Sequence, residues 1–138
     1  MGKIVRFGVS LPESLLHSFD SLIEKKGYNT RSEALRDLIR DSLVEEEWKS
    51  DIEIVGCITI VYDHHVRLLS EALITIQHNS PVKILSTLHL HLDHHNCLEV
   101  IVARGKGTEV RKLADSIEGQ RGVKFAKLTN ATTGKLLE

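Results

Sequence analysis

The hydrophobic positions change period along the chain. Val5, Phe7, Val9 and Leu11 alternate with Arg6, Gly8 and Ser10, the period of a short strand with one apolar face. Pro12 suits the first turn of a helix, and Glu13 beside it suits the positive end of the helix dipole. Leu15, Leu16, Phe19, Leu22 and Ile23 then recur at helical spacing, and Gly27 follows as a C-terminal cap would. A second helix is predicted to open at Thr30, where Glu33 completes a T-x-x-E capping box. Its apolar stripe is Ala34, Leu35, Leu38, Ile39 and Leu43. Strand–helix–helix is an unfinished object, because the backbone groups of a lone strand must pair somewhere. A head of about 45 residues is also small for an independent core. Two chains that pair their strands antiparallel and pack their helices together remove both defects, so the pattern implies a dimer.

Residues 45–51, EEEWKSD, read as a polar continuation or linker. Beyond them the pattern predicts strand (Ile52–Val61), helix (Val66–His78), strand (Lys83–Leu92), strand (Cys97–Ala103), helix (Thr108–Ile117) and strand (Gly122–Leu128). That order, βαββαβ, is ferredoxin-like. The first of these helices carries the stripe Leu69, Leu73 and Ile76, the second Val110, Leu113, Ala114 and Ile117. The tail after Leu128 is rich in Thr, Asn and Gly and is expected to be loose. The fold class is α+β, with domains expected at 1–48 and 52–138.

Composition narrows the function classes. The chain has 138 residues, 41% of them hydrophobic and only 4% aromatic, so the core rests on Leu, Ile and Val. No apolar stretch approaches the ~20 residues that span a bilayer, and MGKIVRFGVS lacks the apolar centre of a signal peptide. A cytoplasmic protein without a membrane partner is expected. Residues 1–40 hold seven Lys/Arg against five acids, whereas 41–53 hold six acids against Lys49 alone. This distribution suits DNA contact through a few chosen residues better than through a broad basic patch. Two cysteines, Cys57 and Cys97, make no disulfide framework at this size. Five of the eight histidines, His78, His89, His91, His94 and His95, fall within 18 residues.

The segment STLHLHLDHHNCLEVIVA carries the chemistry. Leu88, Leu90 and Leu92 take one face of a strand, leaving Thr87, His89 and His91 on the other. After the polar turn, Leu98, Val100 and Val102 continue the apolar face and Cys97 and Glu99 oppose it. If His91 pairs with Cys97 and His89 with Glu99, opposed Cβ atoms lie roughly 5 Å apart. Two imidazoles and a thiolate then converge on one ion, with Glu99 as acceptor for a ligand N–H. One coordination position stays open, and His78 at the end of the preceding helix is the best candidate to fill it. Cysteine with several histidines suits a borderline-soft divalent ion; tetrahedral geometry favours zinc, square-planar nickel(II) or copper(II). The bland readings are a small buried hydrophobe for Cys57, solvated turn residues for His94 and His95, a cap region for His64 and His65, and a surface position for His17. A catalytic Cys97 activated by His91 would also need an oxyanion hole or a substrate-shaping loop, and nothing of the kind is recognisable. The chain is read as no enzyme.

Two strings carry a family resemblance. GYNTRSEALRDLIR resembles the second helix of ribbon–helix–helix proteins, and QH-(x10)-HLHLDHHNCLEV resembles the metal-binding region of NikR, the nickel-responsive regulators; the match runs from about Arg6 to Gly122 and beyond. The resemblance implies a repressor that binds operator double-stranded DNA when Ni(II) is bound. Its domains would be a ribbon–helix–helix domain and an ACT-like domain, assembled as a homotetramer, a dimer of dimers. It implies a square-planar site of His89, His91 and Cys97 from one subunit and His78 from a neighbour. Glu99, Tyr62 and Gln77 match supporting positions around that site. Arg6, Gly8 and Ser10 match the residues that face the major groove, where Arg can address guanine; Gly8 has no side chain with which to read a base. The N–H groups near Thr30, Arg31 and Ser32 face a phosphate, and Arg67 matches a basic contact of the sensing domain, whereas Val66 beside it carries no charge. Glu33 and Asp37 match an acidic pair that can hold a second cation, and equally read as a solvated i, i+4 face. Two other classes compete: a ribbon–helix–helix repressor answering to a small organic effector, and a zinc- or copper-binding protein with no operator.

Overall fold

A computed structural model describes residues 2–138. The chain forms two compact units, one comprising the chain up to Leu43 together with Leu136–Glu138, the other Val44–Lys135.

The first unit contains α1 (Glu13–Lys25) and most of α2 (Arg31–Lys49). Pro12 stands one position ahead of the first turn, as the N-cap of α1. Gly27 takes φ 79°, which brings the Tyr28 N–H to the Ile23 carbonyl at 3.0 Å; a side chain at that φ would be strained. Thr30 caps α2, its Oγ1 accepting from the Glu33 N–H at 3.2 Å. The Glu33 carboxylate returns to the Asn29 N–H at 3.3 Å, one residue earlier than the usual box. The strand expected over Val5–Leu11 makes no ladder. A strand needs a neighbour's N–H and C=O groups, and among the described residues none pairs with this segment; Val5 and Phe7 are 77% and 70% exposed. Ile23 and Ala34 are buried, while Leu22, Leu38, Ile39 and Leu43 of the expected stripes remain exposed.

The second unit is a four-stranded antiparallel sheet with two helices. Its elements are β1 (Glu53–Asp63), α3 (Leu69–Asn79), β2 (Lys83–His91), β3 (Asn96–Lys106), α4 (Gly107–Glu118) and β4 (Val123–Asn130). The strand order is β2-β3-β1-β4, the βαββαβ arrangement that the periods predict. The helix stripes pack as expected: Leu69 and Leu73 of α3, and Val110, Leu113, Ala114 and Ile117 of α4, are buried against Ile54, Ile58, Ile60, Ile101 and Ala103.

Three expectations change. Of the two readings of residues 45–51 the continuation holds and the linker does not, for α2 continues through Lys49, but the stretch is not exposed throughout: Glu47 and Trp48 are buried. A Cβ on Gly56 would lie 2.8 Å from the Trp48 ring and one on Gly107 2.6 Å from its carbonyl oxygen, so both glycines are needed to let the tryptophan in. The indole N–H donates to the Ala131 carbonyl at 2.8 Å, and the Arg111 guanidinium lies 5.9 Å from the ring centroid. The tail is likewise ordered past Leu128, with β4 reaching Asn130 and the Ala131 N–H bonded to Val55 O at 2.9 Å. Helix α3 starts at Leu69 rather than Val66, because Leu68 takes φ 64° and breaks the helical run.

A fourth change concerns the sheet faces. Helices cover the face of Ile54, Ile58, Ile60, Ile101 and Ala103. In the β1–β3 and β2–β3 registers this is also the side of Cys97, Glu99, His89 and His91. The leucine face is the open one: Leu88, Leu90 and Leu92 are exposed, as is Phe125 of β4. Cys57, expected as a buried hydrophobe, is half-buried on that open side, opposite Val102.

Candidate metal centre

The strand pairing follows the register expected from alternation, with His91 opposite Cys97 and His89 opposite Glu99. Opposed residues share a face, and β1 extends both rows across the sheet, Tyr62 facing Cys97 and Ile60 facing Glu99. Because β2 is the edge strand, the rows end where helices no longer cover the sheet. Cys97 and Tyr62 are buried, Glu99 is half-buried, and His89 and His91 are exposed.

The turn between the histidine strand and Cys97 is closed by Asp93. Its carboxylate accepts from the N–H groups of His95 and Asn96, each at 2.9 Å, and from the Asn96 side chain. The bonds from Asn96 come first in holding this carboxyl down at about 2. Lys124 donates to Asn96 Oδ1 at 2.6 Å. The start of β3 is therefore held from both sides, and Cys97 with it.

Cys97 Sγ lies 3.3 Å from His91 Nδ1. Zinc-type bond lengths of about 2.0–2.3 Å place neighbouring donors roughly 3–4 Å apart, so this pair is spaced to share an ion. The third member of the cluster is His64: its donor atom and those of His91 and Cys97 all lie within 4.8 Å of one another. A thiol and imidazoles are the donors that a borderline divalent ion such as nickel, copper or zinc prefers, so the residues present fit such a group. The His89 ring stands 5.4 Å from His91 and edge-on to Tyr62 at 6.0 Å, outside the three-residue cluster. His78 is exposed near the end of α3 and also lies outside it. Gln77 donates to the Leu73 carbonyl of its own helix at 3.1 Å.

Burial pushes the Cys97 thiol up, helped by the negative charges of Asp93, Glu99 and Asp63. Burial likewise raises Glu99, while His89 and the Tyr62 hydroxyl pull it back. Tyr62 is pushed up to about 12, first by burial and then by Glu99 and Cys97. The phenol thus keeps its proton, and the thiol gives up its own only when a cation arrives to replace it.

Periodicity does not reveal His64. It follows the end of β1, its N–H bonded to the His95 carbonyl at 3.1 Å. Both it and His65 direct Nε2 at the His94 carbonyl, at 2.8 and 2.9 Å. The cap-region reading missed this because only the β1–β3 pairing brings residue 64 beside residue 97. On the DNA side, Arg6, Gly8 and Ser10 are exposed on the unpaired segment. The Arg31 guanidinium makes two 2.8 Å bonds to Asp20, leaving its backbone N–H and that of Ser32 at the head of α2. Glu33 is engaged with Asn29, and Asp37 accepts from the Tyr28 hydroxyl at 2.7 Å. Arg67 lines an open cleft with Arg121.

Comparison with known proteins agrees with this layout. Residues 55–131 match the NikR C terminal nickel binding domain, and residues 5–46 match the ribbon-helix-helix protein, copG family. A protein of Geobacter sulfurreducens named "Putative nickel-responsive regulator" is 59% identical over 138 residues, covering 99% of each chain. One of the same name from Geotalea uraniireducens is 56% identical over 99% of each. Among solved structures, the ACT domain from GTP pyrophosphokinase of Chlorobium tepidum superposes with TM-score 0.51 at 14% identity, over 56% of this chain and 100% of that one. That likeness concerns the fold alone and identifies the second unit as ACT-like. With both units matched in order and relatives aligned end to end, the chain belongs to the NikR family of nickel-responsive regulators.

Proposed function

We propose that the protein is a nickel-responsive transcriptional repressor. It binds operator double-stranded DNA when Ni(II) is held by His89, His91 and Cys97 of one subunit and His78 of a neighbour. The observation that carries this reading is the His91–Cys97 pair, in register and 3.3 Å apart at the uncovered end of an edge strand. A neighbouring subunit can reach that place, and His89 lies on the same strand face, its ring 5.4 Å from that of His91. Glu99 opposite His89 and Tyr62 edge-on to its ring flank that ligand, and Gln77 precedes His78.

The assembly is a homotetramer. The exposed apolar positions of the first unit, Phe7, Val9, Leu38 and Leu43 among them, are what a strand-paired dimer of ribbon–helix–helix units would cover. The open face bearing Leu88, Leu90 and Phe125 suits packing between sensing domains. In the paired ribbon Arg6 and Ser10 address base edges, Gly8 allows close approach, and the head of α2 at Thr30, Arg31 and Ser32 faces a phosphate. Arg67 adds a contact from the sensing domain. Glu33 and Asp37 stay as a candidate cation pair, although both already have local partners. The reading places the protein in the cytoplasm. Among the described residues no helix is long and apolar enough to cross a membrane.

Coupling follows from linkage. The tetramer arrangement that brings His78 to the hairpin also presents the ribbons to the operator, so each ligand raises affinity for the other by the same factor. An enzyme is disfavoured by electrostatics: burial and three acids raise the Cys97 thiol, the reverse of what activates a nucleophile. The test is operator affinity with and without nickel at constant salt, for the wild type, His78→Ala and Cys97→Ala. The proposal expects a gain in affinity that both substitutions abolish. Equal affinity with and without nickel refutes it, and an effector response that survives both substitutions favours a small organic effector.

A further inference from the structure

We infer that His64 gives each chain a second ligand set of its own, His64–His91–Cys97, which takes zinc-type ions and competes with the His78-completed nickel set. The inference rests on reading His91 and Cys97 as ligands, and adds the residue by which the site discriminates among metals.

Three observations support it. The donor atoms of His64, His91 and Cys97 lie within 4.8 Å of one another inside one chain, and no other such group of three occurs among the described residues. His64 is positioned rather than merely nearby, since its N–H binds the His95 carbonyl at 3.1 Å and its ring Nε2 lies 2.8 Å from the His94 carbonyl. A ring N–H given to a backbone carbonyl fixes the tautomer and leaves the other nitrogen with its lone pair for a cation. The His64 ring also stands 5.5 Å from the His91 ring, close to the 5.4 Å that separates His89 from His91. Two imidazoles therefore flank His91, one from the end of β1 and one from its own strand.

Coordination chemistry sorts the two sets. Two imidazoles and a thiolate with one position left for water is a zinc-type arrangement, complete without a second subunit. A square-planar ion needs four donors in one plane, which in this reading requires His89 and the neighbour's His78. Both sets use the Cys97 thiolate and His91, so a hairpin occupied through His64 cannot also be closed by His78. Zinc held this way leaves the arrangement of subunits unread, although it binds the same cysteine. The protein would thus bind zinc without answering to it.

The test uses the full-length protein and titrates zinc against a chromophoric chelator, nickel through its thiolate absorption, and cobalt(II) through its visible bands. His64→Ala and His64→Gln are expected to lower zinc affinity roughly tenfold or more, as loss of a metal-site partner does, and to change the cobalt spectrum. Nickel affinity should stay unchanged. His78→Ala is expected to do the reverse. Wild-type zinc affinity and cobalt spectrum in both His64 variants overturn the inference, and so does an equal loss of zinc and nickel affinity, which would mark His64 as a support of the hairpin. X-ray absorption of the zinc-loaded wild type needs no variant: one sulfur and two imidazoles support the set, and three or more imidazoles overturn it. Nickel binding that ignores His78→Ala defeats the nickel site proposed above, while the zinc measurements still decide the role of His64.

Discussion

Replacing Trp48 by alanine tests the part of the fold that composition conceals most. The residue is 5% exposed; its ring sits where Gly56 clears space for it, and Gly107 makes room for its backbone. Truncating a buried tryptophan costs about 3–5 kcal/mol, from lost transfer energy and the cavity left behind. The indole N–H bond to Ala131 goes with it, but that half-buried carbonyl can turn to water, so little is added. A chain of 138 residues unfolds with an entropy of about 0.29 kcal/mol per kelvin, taking roughly 2.1 cal/mol/K per residue. The expected fall in Tm is therefore about 10–17 °C. Far-UV circular dichroism melts of metal-free protein at one fixed concentration would measure it, because ligand and association both shift Tm. Trp48 is the only tryptophan, so emission of the wild type reports this site alone and should be blue-shifted and resistant to acrylamide. A Tm within about 3 °C of wild type, less than 1 kcal/mol at this size, would refute the anchoring role. So would a red-shifted, readily quenched emission.

Three further outcomes are expected. Burial and nearby acids raise the Cys97 thiol above its ordinary value of 9.0, so the metal-free protein holds that proton at pH 7.5–8.5 and releases it on binding. Nickel affinity should then rise about tenfold per pH unit across that window; a flat profile in chelator competition would mean that Cys97 is no ligand. Leu90→Lys on the open sheet face should leave the metal-free fold within about 0.5 kcal/mol of wild type, as surface substitutions do. It should also cut the mass measured by light scattering from four chains to two, and an undiminished tetramer would mean that assembly uses another surface. Arg6→Ala should weaken operator binding by about 1–3 kcal/mol and leave nickel titration unaltered; unchanged operator affinity would remove Arg6 from the interface.

The register of the site was legible because it is local. Strand alternation and a short polar turn suffice to set His91 against Cys97 and His89 against Glu99, as the pairing shows. The stripes of α3 and α4 were legible for the same reason, and they are buried within the chain. His64 was not, because its place depends on β1 lying beside β3, a pairing between residues more than thirty positions apart in the order of the strands. Trp48 was hidden by its polar neighbours: one aromatic among acids reads as surface until Gly56 and Gly107 are seen opposite it.

A different kind of gap links the Val5–Leu11 segment to the leucine face of the hairpin. Both have the right period, and the single chain leaves both uncovered. Alternation says which side chains share a face, but it does not say what covers that face. On the sensing unit the majority decided the matter, for the isoleucines of β1 and β3 draw the helices to their own side and thereby to the side of His91 and Cys97. His91 and Cys97, the proposed ligands, consequently lie on the helix-bearing face at the edge strand, with the leucines free on the reverse. A chain whose apolar pattern exceeds what it can bury is patterned for other chains, and in the proposed tetramer the uncovered strand, the leucine face and the unplaced His78 would all be completed by neighbours. The His64–His91–Cys97 cluster is the exception, closed within one chain, and for that reason it would report no assembly.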